Sequence, residues 1–341
     1  MMIRKLAVIA LVLGLAASAW AQGSNPMLVN GAGATFPYPI YSKWFDEYHK
    51  LHPNIQINYQ SIGSGGGIRQ LLVGTVDFGA TDGPMSDEQL AQAKIKILHF
   101  PTVLGAVVPI YNIPSVTQEL KFTPEALAGI FLGKITKWND PEIARANPGV
   151  NLPSNDIVVV HRSDGSGTTY IWTDYLSRVN EEWKNRVGKG TSVNWPVGLG
   201  GKGNEGVAGL VKQTPNSIGY VELIYAIQNK LSYARVRNAA GNFVKADLAS
   251  VTAAAAGAAE AMPEDFRVSI ANPPGNTAYP LASFTWLLVP ASIQDGTKKT
   301  VLKEFLRWML TEGQKYAEPL AYARLPREVV EKEMKAIAQI Q

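Results

Sequence analysis

Strand-like and helix-like segments alternate along this 341-residue chain, and that order points to an α/β architecture in which helices cover a sheet. Ile55, Ile57 and Tyr59 alternate with polar residues, which is the period of a strand. Ile40, Tyr41, Trp44, Phe45, Tyr48 and Leu51 recur at helical spacing in a segment stopped by Pro53. Residues 106–111, 157–160 and 284–289 are short apolar runs of the buried-strand kind. A helix over residues 171–179 puts Ile171, Trp172, Tyr175, Leu176 and Val179 on one face. The Ala-rich stretch 246–262 is expected to be a surface helix without functional content. A chain of this length exceeds one hydrophobic core, so two domains are expected.

Three of the junctions between elements share one design. Gly31-Ala32-Gly33-Ala34-Thr35-Phe36-Pro37 precedes the first amphipathic helix. Gly63-Ser64-Gly65-Gly66-Gly67 follows a strand and leads into the helical segment 68–73. Arg162-Ser163-Asp164-Gly165-Ser166-Gly167-Thr168 stands between the strand 157–160 and the helix that follows. Such turns expose the free N–H groups of a helix start, where the macrodipole also favours negative charge. Glycine lets the backbone approach a ligand, Ser or Thr adds a hydroxyl donor, and Arg162 offers a fork suited to a tetrahedral oxyanion. One such turn alone is an ordinary helix cap. Three in one chain point to anion binding.

A fourth cluster, Asp77-Phe78-Gly79-Ala80-Thr81-Asp82, brings carboxylates. A carboxylate beside an anion makes sense when the anion carries a proton, because the carboxylate only accepts hydrogen bonds. Asp82 would then welcome the hydroxyl of HPO₄²⁻ or H₂PO₄⁻ and reject sulfate, which has no proton to give. The alternative for Asp82 is a cap on the segment starting near Ser86.

Arg4 and Lys5 precede an apolar stretch at residues 6–17, and Ala19-Trp20-Ala21 supplies a small-x-small site. This is the pattern of a secretory signal peptide over residues 1–21, with cleavage after Ala21 and export to the periplasm. The apolar run is shorter than the roughly 20 residues a membrane span needs. There is no cysteine, hence no lipid-carrying residue after the signal, no disulfide and no thiolate metal site. Removing Arg4 and Lys5 leaves 30 basic against 28 acidic residues, a net charge of +2. With no basic run or stripe besides, nucleic acid is not an expected partner.

Taken together, residues 31–37, 62–67, 76–82, 162–168, 197–204 and 218–222 closely resemble the phosphate-binding proteins of Pst-type ABC phosphate importers, over nearly all of the chain after the signal. The resemblance implies a two-domain, type II periplasmic-binding-protein fold of the α/β class, each domain a mixed β-sheet flanked by helices, with the ligand in the interdomain cleft. Residues 22–111 plus 277–341 would form the first domain and 112–276 the second, joined by two crossover strands. It implies phosphate ligands as well: Thr35 and Phe36 through backbone N–H and the Thr35 hydroxyl, Ser64 through its hydroxyl, Asp82 as acceptor of the phosphate proton. Arg162 would pair with the anion, and Ser166, Gly167 and Thr168 would close the cage. Asp164 would orient Arg162 without touching the ligand. The implied function is phosphate capture by a monomer without cofactor or membrane anchor, and delivery to the membrane permease subunits of the importer. The Ala-rich stretch matches this pattern poorly.

Competing readings have some support. Another tetrahedral oxyanion, of the sulfate or molybdate class, is the nearest alternative. Gly198-Leu199-Gly200-Gly201-Lys202-Gly203 fits G-x-G-x-x-G after a possible strand at 192–197, with Glu222 about 20 residues on. An exported chain is a poor place for a nicotinamide cofactor, and the glycines are expected to shape a turn near the cleft instead. A secreted phosphate-ester hydrolase is opposed by Asp164-Gly165-Ser166-Gly167, which lacks the nucleophile-elbow frame. A metal site is not expected: His49 and His52 share one amphipathic helix and face solvent at its end, His99 begins a strand, and His161 has no partner at ligand spacing. Gly133-Lys134-Ile135 is not a Walker A motif. A sensing or attachment role would start from the same ligand-loaded form.

Overall fold

The computed structural model describes residues 26–260 and 262–341. The signal-peptide expectation at residues 1–21 lies outside the described residues. Among the described residues nine strands form one sheet: β1 (Met27–Gly33), β2 (Ile55–Ser61), β3 (Phe78–Thr81), β4 (Ile97–Asn112), β5 (Val158–Arg162), β6 (Leu199–Gly201), β7 (Ser217–Glu222), β8 (Ser232–Tyr233) and β9 (Ala282–Pro290). Their order is β2-β1-β3-β9-β4-β7-β5-β6, with β8 on β4. A smaller three-stranded sheet joins residues 121–122, 235–237 and 243–244.

The long strand β4 makes this one path out of two sheets. Its first part, up to Ala106, pairs antiparallel with β9. From Val107 to Asn112 it pairs antiparallel with β7. All but the last of its residues are buried, as expected for a strand covered on both faces. On the first side β1 runs parallel to β2 and β3; on the second β5 runs parallel to β7 and β6. The carboxyl ends of these parallel strands are where an open α/β sheet presents its ligand crevice.

Among the helices that follow those ends, four frame one crevice: α1 (Tyr38–Leu51), α2 (Ser64–Val73), α3 (Gly167–Val179) and α4 (Gly203–Gln213). Helix α1 buries Ile40, Tyr41, Trp44, Phe45 and Tyr48, and the rings of Tyr41, Phe45 and Tyr48 meet Tyr59 and Phe305. A second aromatic cluster on the other side gathers Phe131, Trp172, Trp195 and Tyr220. Each half therefore has its own packed anchor.

Two sequence expectations are corrected here. The Ala-rich helix, α5 (Leu248–Glu260), is not a mere surface element: Val251, Ala254, Ala255 and Ala258 are buried, and it packs on β4 and β9. Alanine's small side chain lets the helix lie close on the sheet, a tertiary fit invisible in a compositional reading. The strand expected at 192–197 forms instead on Leu199–Gly201, inside the glycine run. There it pairs with β5, because neighbouring backbone rather than side-chain periodicity holds it.

Candidate functional site

Thr35 and Phe36 lie in the turn between β1 and α1, Ser64 opens α2, and Asp82 follows β3. Gly63 makes the turn into α2 with φ 87°, a left-handed conformation that favours glycine. A side chain there would also collide with the Asp164 carboxylate. Asp82 is 1% exposed. Its N–H donates to Ser64 Oγ at 3.2 Å and its Oδ1 accepts from Thr285 Oγ1 at 2.8 Å. Oδ2 is buried with no hydrogen-bond partner among the described residues.

The opposite wall is built by β5 and the starts of α3 and α4. Arg162, at the end of β5, is buried. Its Nε and Nη2 donate to the two oxygens of Asp164 at 2.7 and 2.5 Å, and Nη1 donates to Thr168 Oγ1 at 3.3 Å. Ser166 caps α3 by accepting the Thr169 N–H at 3.0 Å. Gly167 and Thr168 then open the helix, where the first N–H groups have no intrahelical acceptor. Gly203 N–H, at the start of α4, donates to Asp164 Oδ1 at 3.0 Å.

The two walls touch. Gly65 N–H donates to the Gly165 carbonyl at 2.9 Å, and Tyr225 Oη donates to the Thr35 carbonyl at 2.6 Å. A Cβ placed on Gly167 would stand 2.5 Å from both Asp82 Oδ2 and Ser64 Oγ, so only glycine allows this approach. Surface grooves of about 760 and 680 Å³ run along the seam, each lined from both halves, and neither is lined by these polar residues. The cleft is shut over them.

Thr35, Ser64 and Asp82 are thus brought to one wall and Arg162, Ser166, Gly167 and Thr168 to the other. Phe36 borders them with its backbone only: its ring is buried near Gly105 and Tyr322, and its carbonyl accepts from Tyr322 Oη at 2.6 Å. The second carboxylate of the same sequence cluster goes elsewhere. Asp77 accepts the Asn30 N–H at 2.8 Å and pairs with Lys298 at 2.9 Å, tying β1 to the helix Gly296–Leu310. The cap on the segment after Asp82 is Ser86, in a reciprocal box with Gln89, so Asp82 is not spent as a cap.

Burial pushes Asp82 up to about 7, against the opposing pull of the Thr285 bond, the Arg162 charge and the nearby Ser64 hydroxyl. Burial raises Asp164 too, but the Arg162 bonds and charge, with the Gly203 N–H, outweigh it and hold that carboxyl below its ordinary value. Glu222, at the end of β7, is fully buried, and desolvation drives it well above the usual carboxylate range. Its Oε2 accepts the Ile224 N–H at 2.8 Å, which makes it a helix cap and not a ribose-binding acid. The glycine run at 198–203 does open a strand–helix–strand unit, β6-α4-β7, that ends at Glu222, but that unit delivers Gly203 and Asn204 to the cleft.

Sequence reasoning gave no role to Asn204, Thr285 or Tyr225. Asn204 donates through Nδ2 to Thr35 Oγ1 at 2.7 Å and to Thr168 Oγ1 at 3.1 Å. A polar residue at a helix start was the available signal for Asn204. Thr285 lies within an apolar strand run and carried no signal at all.

Residues 17–312 match a family model described as a PBP superfamily domain. The chain is 47% identical over 324 residues to "Phosphate-binding protein PstS" of Pasteurella multocida, covering 95% of this chain and 93% of that protein. It is 46% identical over 311 residues to the protein of the same name from Xylella fastidiosa, covering 91% and 85%. Among solved structures, a phosphate-binding protein from Stenotrophomonas maltophilia superposes with a TM-score of 0.69 at 18% identity, over 91% of this chain and 93% of that one. The last shows the shared two-domain α/β fold. With such identity along almost its whole length, this chain belongs to the PstS family of phosphate-binding proteins, within the PBP superfamily.

Proposed function

We propose that this chain captures inorganic phosphate in the closed cleft and hands it to the membrane permease subunits of an ABC-type importer. The observation that carries the reading is the meeting of one acceptor with many donors. Asp82 Oδ2, buried and unpartnered, faces the hydroxyl of Ser64 and the start of α3. Arg162, Thr168 and Thr35 adjoin through a connected set of bonds. A ligand that suits such a site must accept from several donors and donate to one carboxyl. Hydrogen phosphate does both, while sulfate has no proton for Asp82.

In this reading the ligands are Thr35, Phe36, Ser64, Asp82, Arg162, Ser166, Gly167 and Thr168, with Asp164 holding the guanidinium. The first domain is 22–111 with 277–341, and the second 112–276. Closure of the one on the other is a hinge motion around the ligand, and β4, which changes its pairing partner after Ala106, a few residues before that boundary, is a strand that such a hinge would bend. The protein is a monomeric periplasmic carrier, exported by its cleaved signal segment, and not a catalyst. Its site hydroxyls bond to amide and guanidinium donors, not to a histidine that would activate a nucleophile.

The test is calorimetric titration of the phosphate-stripped mature protein with phosphate and then sulfate at pH 8. One-to-one phosphate binding without sulfate heat is expected. Equal binding of the two would remove Asp82 from the site and reassign the ligand to another oxyanion.

A further inference from the structure

Asn204 stands among the proposed ligand groups without being one of them. It is the second residue of α4 and fully buried. Its Oδ1 accepts the Glu222 N–H at 2.9 Å. A backbone N–H can only donate, so this bond fixes the amide with its oxygen toward β7 and its NH₂ toward the cleft. Both amide hydrogens are then used, one on Thr35 Oγ1 at 2.7 Å and one on Thr168 Oγ1 at 3.1 Å.

The two hydroxyl oxygens each receive a second donor. Thr35 Oγ1 takes the Asn204 backbone N–H at 3.2 Å, and Thr168 Oγ1 takes Arg162 Nη1 at 3.3 Å. A hydroxyl has two acceptor sites and one proton. With both acceptor sites filled, each of these hydroxyls has only its proton left to offer. A free threonine hydroxyl can turn to accept as well as donate; these two cannot.

We infer that Asn204 is a positioning residue that makes the Thr35 and Thr168 hydroxyls, one on each wall, obligate donors to a tetrahedral oxyanion, and latches the walls together while doing so. This rests on the phosphate reading above. It places the selection of an acceptor-rich ligand partly in a residue that does not touch it. It also gives closure a specific polar link, since Asn204 belongs to one wall and Thr35 to the other.

The experiment is phosphate calorimetry, with stopped-flow tryptophan fluorescence for dissociation, on the wild-type protein, N204A, T35V, the N204A/T35V double variant and N204D. Asn204→Ala is expected to weaken phosphate roughly 10–100-fold, chiefly through faster release, the scale of losing one or two buried hydrogen bonds. Losses in the double variant should fall clearly short of additive, because Asn204 acts in part through the Thr35 hydroxyl. Asn204→Asp keeps the shape but turns the donor into an acceptor that takes both hydroxyl protons, and should lose more than N204A. If N204A does not fold, the near-isosteric N204D takes its place, and phosphate binding by it within about threefold of wild type would overturn the inference equally. Wild-type binding with N204A within about threefold of it, or fully additive losses in the double variant, would overturn the inference alone. No phosphate binding by the wild-type protein would overturn the ligand assignment and this inference with it.

Discussion

The two walls of the cleft each carry an aspartate, and the two have opposite fates. Asp82 is almost completely buried, receives one hydroxyl bond and keeps an oxygen unpartnered; burial pushes it up to about 7. Asp164 is only partly buried, grips Arg162 with both oxygens and takes the Gly203 N–H; those bonds more than offset burial. Side-chain type does not decide the role of a carboxyl at an anion site, whereas its partners do. The Arg162–Asp164 pair also nearly cancels its own charge. The cleft therefore offers an anion directed N–H and O–H dipoles more than a net positive field.

Three changes would break or sharpen that contrast. The largest effect belongs to Arg162→Ala, which removes a donor and strands Asp164 as a half-buried unpaired charge. Phosphate binding should weaken by roughly 2–4 kcal/mol, the scale for truncating one partner of a desolvated pair, read by titration calorimetry. A loss within error would mean that the pair only supports the loop.

Next comes Gly167→Ala, which drives a methyl group between Asp82 and Ser64. Overpacking of this kind costs roughly 1–3 kcal/mol, and here it acts on the closed form alone. Phosphate affinity should fall about 5–150-fold while the ligand-free melting temperature holds. Small-angle scattering with saturating phosphate should show a larger radius than the wild type. Unchanged affinity would show that the walls close further apart in solution.

The smallest effect on phosphate is expected from Asp82→Asn, which retains an acceptor; its mark is on sulfate and on pH. Because the Asp82 carboxyl is raised in the folded state from 3.8 to about 7, the fold binds this proton more tightly than the unfolded chain does. Its contribution to stability is complete below about pH 4 and is lost as pH rises through about 7. Ligand-free D82N should thus be more stable than the wild type at pH 8, by up to a few kcal/mol, with the gap closing toward pH 4. In thermal unfolding a constant gap would contradict the assignment. A protonated Asp82 can also donate, so wild-type sulfate rejection should weaken below pH 7 and vanish in D82N at every pH.

Much of the site was legible because its parts are local. A strand ending in Gly, Ser and Thr before a helix shows its free N–H groups from a few adjacent residues, so the turns that hold Thr35, Ser64 and Ser166–Thr168 stand out locally, while the ligand role of each residue comes from the family resemblance. Arg162 and Asp164 are two residues apart, so their pairing was within reach of the same reading. The choice between Asp77 and Asp82 was not local, since Lys298 claims one and Thr285 holds the other, each about 200 positions away. The Ala-rich helix was misjudged for the same reason: its composition says helix, and only the sheet it lies on says buried.

By itself the sequence determined the α/β class, the helix starts that supply donors, and the residue types able to hold a protonated oxyanion. These are consequences of backbone geometry and side-chain chemistry over spans of a few residues. The tertiary structure alone decided which carboxyl would lose its water, where Arg162 would spend its fork, and that Asn204 would stand between two threonines of opposite walls. Desolvation and hydrogen-bond partnership are set by groups that meet only after the chain has folded, so no reading of neighbours along the chain contains them.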